Sequence, residues 1–344
     1  VTAFDGVELF AGGGGLAEGL RLVAPDLRVV GLEWDHAACR TRVAAGHPTI
    51  RTDVARYPTE PFRGVRLLSG GPPCQPFAMS GPGDGRRHLQ AIADAAAYVA
   101  LDGYTPERAL ERVADDALDE RTMLVLQPLR WARDLRPEAV LLEQVPPVLP
   151  VWQAIGAALE RLGYHVWTGR VRSEEYGVGQ ARVQSLLLAS LTRYVDKPRP
   201  THRPYRSRKP GGGRYADECG ELDTGLLPWV SMADVLPCRG DLPEWSHHRP
   251  ATTIVASFRP DVVAGPGYRK AGDGPRQNAP GSVVVTVDEA AALQSFRRGY
   301  SWCGTETQQR RQIGNAVPPL LAAHAFAAVL GLPVPQLATP TLSA

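Results

Sequence analysis

Residues 70–77 read GGPPCQPF, and the cysteine in this stretch stands on a stiff mount. Pro72 and Pro73 precede Cys74 and Pro76 follows Gln75, which fixes φ at three positions and removes three backbone donors. The preceding VRLLSGG reads as a buried strand ending in glycines. Cys74 then falls just past a strand's C-terminal edge, where open α/β sheets bind their ligands. Taken alone, such a cysteine suits a small buried hydrophobe as well as a nucleophile. Glu143 in AVLLEQVPP ends a second predicted core strand and should reach the same edge. Its apolar flanks predict partial burial, which keeps a carboxyl protonated more readily. A thiolate beside such a carboxyl suits covalent attack on an electron-poor ring with proton donation to that ring.

A second group of residues describes an adenosine pocket. VELFAGGGGLAEGL, residues 7–20, places four glycines between a strand and a helix, so the backbone can approach a ligand closely. Nucleotides, flavins and S-adenosylmethionine all fit such a turn, but no Walker lysine follows it. Glu33 ends the second strand and can accept hydrogen bonds from ribose hydroxyls. Asp53 ends the third and can accept one from an adenine amino group.

The elements that must position these residues alternate. VELF, LRVVGLEW, TIRTDV, VRLLSGG, AVLLEQV and YHVWTGRV read as strands, with helical stretches between them. Such repeated βα units predict an α/β fold with a doubly wound, mostly parallel sheet. In YGVGQARVQSLLLAS, residues 176–190, Gln180, Arg182 and Gln184 alternate on one face of a predicted strand. In RQIGNAVPPLLAA, Gly314 and Asn315 precede a helix opened by proline. Residues 86–118 read as two helices broken at DGYTP. From 191 to 285 the chain turns irregular and rich in Pro, Gly and Arg, with TTIVASF and SVVVTV as short predicted strands. We expect a smaller second domain over 191–285 and a main domain from 1–190 and 286–344.

The 344 residues are 44% hydrophobic and 22% charged, the make-up of an ordinary globular protein. No stretch reads as the ~20 apolar residues of a membrane span, so no membrane partner is expected. Five scattered cysteines without CxxC spacing argue against a disulfide framework or a metal site and fit a reducing cytoplasm. The net charge is only +2, yet residues 191–215 hold eight Lys/Arg, among them Arg206, Arg208 and Lys209, against one acid, with three interleaved tyrosines. That mixture suits nucleic-acid phosphates and bases.

Read in order, FAGGGG, GGPPCQPF, LLEQVPP, QARVQ, RPATTI and QIGNAVPP resemble the motif series of the DNA (cytosine-5) methyltransferases. The resemblance covers about residues 7–190 and 249–330, and the basic run falls where that family keeps its target-recognition domain. It implies the S-adenosylmethionine-dependent methyltransferase fold, S-adenosylmethionine as cofactor and double-stranded DNA as partner. Phe10, Ala11, Gly12, Gly14, Gly15 and Leu16 then line the cofactor. Glu33 holds its ribose, Trp34 packs near the adenine, Asp53 and Val54 read the adenine edge, and Pro72, Asn315 and Val317 complete the pocket. The same resemblance makes Cys74 the nucleophile, has Glu143 hold the target ring and puts Arg182 in the base pocket. Gln75, Gln180, Gln184, Arg206, Arg208 and Lys209 are implied DNA contacts. Three features depart from the family: Gln144 stands for the usual Asn, Gln184 for the usual Arg, and the segment after Cys74 is long. The expected function is a monomeric modification enzyme acting on a flipped-out cytosine. A companion restriction endonuclease leaves no signature in this chain. An RNA cytosine-5 methyltransferase and a silent DNA-binding relative are the alternatives, with a nicotinamide dehydrogenase as the generic reading of the glycine-rich turn.

Overall fold

The computed structural model describes residues 3–73, 88–101, 104–113, 123–205, 225–254 and 283–342. Cys74, Gln75, Arg206, Arg208 and Lys209 therefore lie outside the described residues. Seven strands form one sheet: β1 (Gly6–Leu9), β2 (Val29–Glu33), β3 (Thr49–Arg51), β4 (Leu67–Gly70), β5 (Ala139–Gln144), β6 (His165–Arg172) and β7 (Val183–Ser190). Their spatial order is β3-β2-β1-β4-β5-β7-β6. The first five run parallel, and β7 runs antiparallel to both β5 and β6. The doubly wound, mostly parallel sheet is thus as expected. The winding reverses between β1 and β4, so the glycine-rich turn and the residues leading to Cys74 leave neighbouring strands at the switch point.

Among the described residues ten α-helices follow in chain order: α1 (Gly15–Val23), α2 (His36–Ala44), α3 (Leu89–Val99), α4 (Pro106–Glu111), α5 (Gln127–Leu135), α6 (Leu149–Arg161), α7 (Met232–Val235), α8 (Val287–Leu293), α9 (Glu306–Asn315) and α10 (Pro319–Leu330). Several starts are legible chemically. The Asp35 carboxylate accepts the Ala38 N–H at 2.9 Å and opens α2. Thr305 and Gln308 form a capping box at α9, and Pro319 opens α10, which ends at left-handed Gly331.

Period-two alternation sends neighbouring strand residues to opposite faces. Leu68, Val140 and Leu142 join a core with α3, α5 and α6, while Leu67, Leu141 and Leu188 join one with α1 and α10. Both faces are covered, which is why these strands read as unbroken apolar runs. Within the long segment after Cys74, α3 belongs to the first core, since its Ile92, Ala95, Ala96 and Val99 are fully buried there.

Three expectations need correction. Residues 284–286 lie outside any strand and Val283 makes only a β-bridge. Of TTIVASF, residues 252–254 are not in a strand and the remaining residues, like Ser282, lie outside the described residues, while Ala251 bridges to Gln180. The Ile254 N–H is taken by the Gln180 side chain instead of a neighbouring strand. The strand expected across 176–190 begins only at Val183, because Ser173–Tyr176 form a 3-10 turn followed by left-handed Gly177. Among the described residues, the helical stretch Glu306–Leu330 is long and apolar enough to cross a membrane, and 83% of its apolar window is buried inside the fold. A third core unites Met232, Val235, Ala251 and Ile254 with Leu293, Phe296, Tyr300 and Ile313, so residues 225–254 pack against the C-terminal segment.

Candidate active site

The glycine-rich turn leaves β1 through Phe10, which adopts φ +54, then Gly12 at +51 and Gly14 at +99. Gly14 caps α1, and a side chain there would run into the Tyr300 hydroxyl. A Cβ on Gly15 would collide with the Val317 carbonyl, which brings the QIGNAVPP segment onto the start of α1 as expected. Leu16, Val54 and Val317 are buried, with their side chains in the two main cores. Ala11 is buried as well.

Glu33 ends β2 beside this turn. One of its oxygens accepts the Gly12 N–H and the other the Asp35 N–H, both at 2.7 Å. Burial pushes its carboxyl above the usual range while these N–H groups pull it back. Trp34 alongside is 69% exposed, an unusual setting for so large an apolar surface. Asp53 accepts the Ala55 N–H at 2.9 Å and lies 3.6 Å from Arg56. The Val54 carbonyl accepts from Arg130 at 2.9 Å and from Trp131 at 3.3 Å, which fixes this corner from the side of α5. Asn315, at the end of α9, is exposed.

Glu143 lies at the end of β5 and is 7% exposed. Burial pushes its carboxyl up to about 7, against the opposing pull of the nearby Arg182 cation and of Gln184. A Cβ on Gly71 would sit 3.3 Å from Glu143 Oε2, so the carboxyl faces the segment entering Cys74. Gln144 tightens that relation by donating from Nε2 to the Pro72 carbonyl at 2.8 Å. Gln144 therefore ties buried Pro72 to β5. Arg182, the residue just before β7, donates to the carbonyls of Gly314 at 2.8 Å and Ile254 at 3.2 Å, joining the start of β7 to the C-terminal segment and to residues 225–254.

Gln180 and Gln184, expected as DNA contacts, are fully buried. Gln180 spends its Oε1 on the Ile254 N–H at 2.8 Å, and its Nε2 has no partner among the described residues. Gln184 is close enough to draw the Glu143 carboxyl down, but neither of its amide atoms reaches a partner at hydrogen-bond geometry. Sequence reading also missed Arg42, Tyr300 and Trp302, which support the glycine-rich turn from beneath. The one available signal was Glu8, a lone charge inside the apolar run VELF.

A profile described as C-5 cytosine-specific DNA methylase matches residues 4–98 and 264–330. The chain belongs to that family. As a DNA cytosine-5 methyltransferase, it resembles curated Type II methyltransferases along nearly its whole length. It is 25% identical to M1.HphI of Haemophilus parahaemolyticus, over 94% of this chain and 86% of the relative. It is 27% identical to M.AplI of Arthrospira platensis, over 92% and 82%. Among solved structures, the Entamoeba histolytica methyltransferase EhMeth shares the fold with a TM-score of 0.62 at 13% identity, covering 96% of this chain and 99% of that one. The S. pombe Dnmt2 methyltransferase does so with 0.61 at 15%, covering 95% and 98%.

Proposed function

We propose that this DNA cytosine-5 methyltransferase uses S-adenosylmethionine as donor and Cys74 as nucleophile, on a cytosine flipped out of duplex DNA. The observation that carries the reading is the buried Glu143 carboxyl, held near neutrality beside the segment entering Cys74. The donor fits the residues present. A carboxylate bound by backbone N–H groups (Glu33), an exposed indole (Trp34) and a second acid (Asp53) match a ribose diol and an adenine. When bound, S-adenosylmethionine supplies an electrophilic methyl group.

The chain's own residues do the rest. Cytosine C5 is a poor nucleophile while the ring is aromatic. The Cys74 thiolate adds to C6 as Glu143 gives its proton to N3, which turns C5 into an enamine carbon. Once C5 carries the methyl group, loss of the C5 proton to solvent, departure of Cys74 as thiolate and return of the N3 proton to Glu143 restore the ring. A stacked base offers no access to C6, so the cytosine must leave the helix. Arg182 holds the Gly314 and Ile254 carbonyls together and places a positive charge where it pulls the Glu143 carboxyl down. Residues 191–285 carry target recognition in this reading, and the Type II relatives support a role as a modification enzyme.

Cys74→Ser should abolish methyl transfer in a radiolabel assay while leaving donor binding intact. Duplex DNA bearing 5-fluorocytosine in the target site should trap the wild type as an adduct that survives denaturation, because fluorine cannot leave as a proton does. Near-normal turnover of the serine variant would sink the nucleophile assignment.

A further inference from the structure

Beneath the glycine-rich turn lies a polar cluster that the chemistry above does not use. Arg42 of α2 is fully buried. It passes β2 where Gly31 has no side chain, since a Cβ there would overlap its guanidinium. Its Nη1 donates to Glu8 Oε2 and to the Ala11 carbonyl, each at 3.1 Å, and its Nε donates to Thr49 Oγ1 at 3.1 Å. Nη2 is buried without a partner among the described residues. A buried ion pair with an orphaned donor is a poor stabiliser compared with an apolar packing of the same volume. Its geometry fits a different role.

In a planar trans peptide the C=O and N–H point in opposite directions. The Ala11–Gly12 peptide is gripped on both edges: Arg42 holds its carbonyl, and Glu33 Oε2 takes its N–H at 2.7 Å. The Gly13–Gly14 peptide is held in the same way. Its carbonyl accepts the Tyr300 hydroxyl at 2.6 Å, and its N–H donates to the Ala11 carbonyl at 3.2 Å. Ala11 O thus links the two planes. Tyr300 is fixed in turn, with ring centroids 4.8 Å from both Phe296 and Trp302. The Trp302 ring occupies the space that a side chain on Gly13 would need.

We propose that Tyr300 and Arg42 are positioning residues for the methyl donor, acting through these two peptide planes to aim Glu33 and the glycine-rich turn. The proposal rests on the S-adenosylmethionine reading above. The C-terminal segment then contributes to donor affinity from below the turn as well as through Asn315.

Arg42 is a poor target for a test, because its loss strands the Glu8 charge in the core. Tyr300→Phe removes one hydroxyl and keeps the ring packing. Calorimetry with S-adenosylhomocysteine on the full chain should show a dissociation constant about three- to tenfold higher than wild type, the worth of one hydrogen bond. Turnover at saturating donor and DNA should stay within about twofold of wild type, with KM for the donor raised and KM for DNA unchanged. Unchanged donor affinity in Tyr300→Phe, with or without a lower melting temperature, would overturn the positioning role alone. A wild type that fails to bind S-adenosylhomocysteine would overturn the donor reading beneath it.

Discussion

Glu143 shows how position alone converts an ordinary carboxyl into an acid usable near neutrality. With burial raising it from 4.5 to about 7, folding favours its neutral form. The folded state therefore holds more protons than the unfolded chain between those values. Stability must fall as pH rises through that window, and the loss stays in place above pH 7. The window is worth about 3 kcal/mol at most. Glu143→Gln, which cannot ionise, should unfold at higher urea than wild type at pH 8 and lose that advantage near pH 4.5. Catalysis should move the other way. Wild-type turnover should show an alkaline limb with a midpoint near 7, and the Gln variant should lack that limb while running about a hundred- to ten-thousandfold slower. A pH profile with the same alkaline limb in both proteins would mean that Glu143 does not supply the proton. Gln184 belongs to the same account, because a neutral amide pulls the carboxyl down less than a cation in its place.

At the level of elements, the contact between α1 and α10 closes the candidate site. Gly19 lies in the middle of α1, where Ala should gain about 0.8–1 kcal/mol in helix propensity. A Cβ at that position, however, would overlap Ala322 and stand 2.7 Å from the Pro319 carbonyl. Overpacking of a rigid helix contact costs about 1–3 kcal/mol, so packing outweighs propensity and Gly19→Ala should destabilise by about 1 kcal/mol. A lower urea midpoint with an unchanged slope would register it, and a raised midpoint would show that the helices have room to part. The strands and most helices were readable because covered parallel strands and proline- or acid-capped helices carry local signals. Glu33, Glu143 and the glycine-rich turn were readable because they sit at strand ends. Tyr300 on Gly13 was not, since that bond joins residues 287 apart and no local pattern encodes it. The same holds for residues 225–254, whose core is completed by α8, α9 and the loop between them.

Taken whole, the molecule carries a net charge of only +2, too little for a general attraction to DNA. Affinity must then come from how the charge is distributed, and residues 191–215 concentrate eight cations against one acid. Phosphate contacts release counterions and base contacts do not, so the two roles separate in salt. Gly211, Gly212 and Gly213 follow Lys209 closely and give the run a permissive backbone, better matched to phosphates than to the fixed geometry of base edges. Neutralising Arg206, Arg208 and Lys209 together should weaken binding to cognate and random duplexes alike. Each lost phosphate contact should flatten the plot of log affinity against log salt by about 0.9 on B-DNA, for a total near 2.7 if all three engage. If these residues instead read bases, cognate affinity should fall by about 1–3 kcal/mol per bidentate pair while random binding changes less. Fluorescence anisotropy on the two duplexes across a salt series distinguishes the cases, and an unchanged slope in the triple variant would refute the phosphate role.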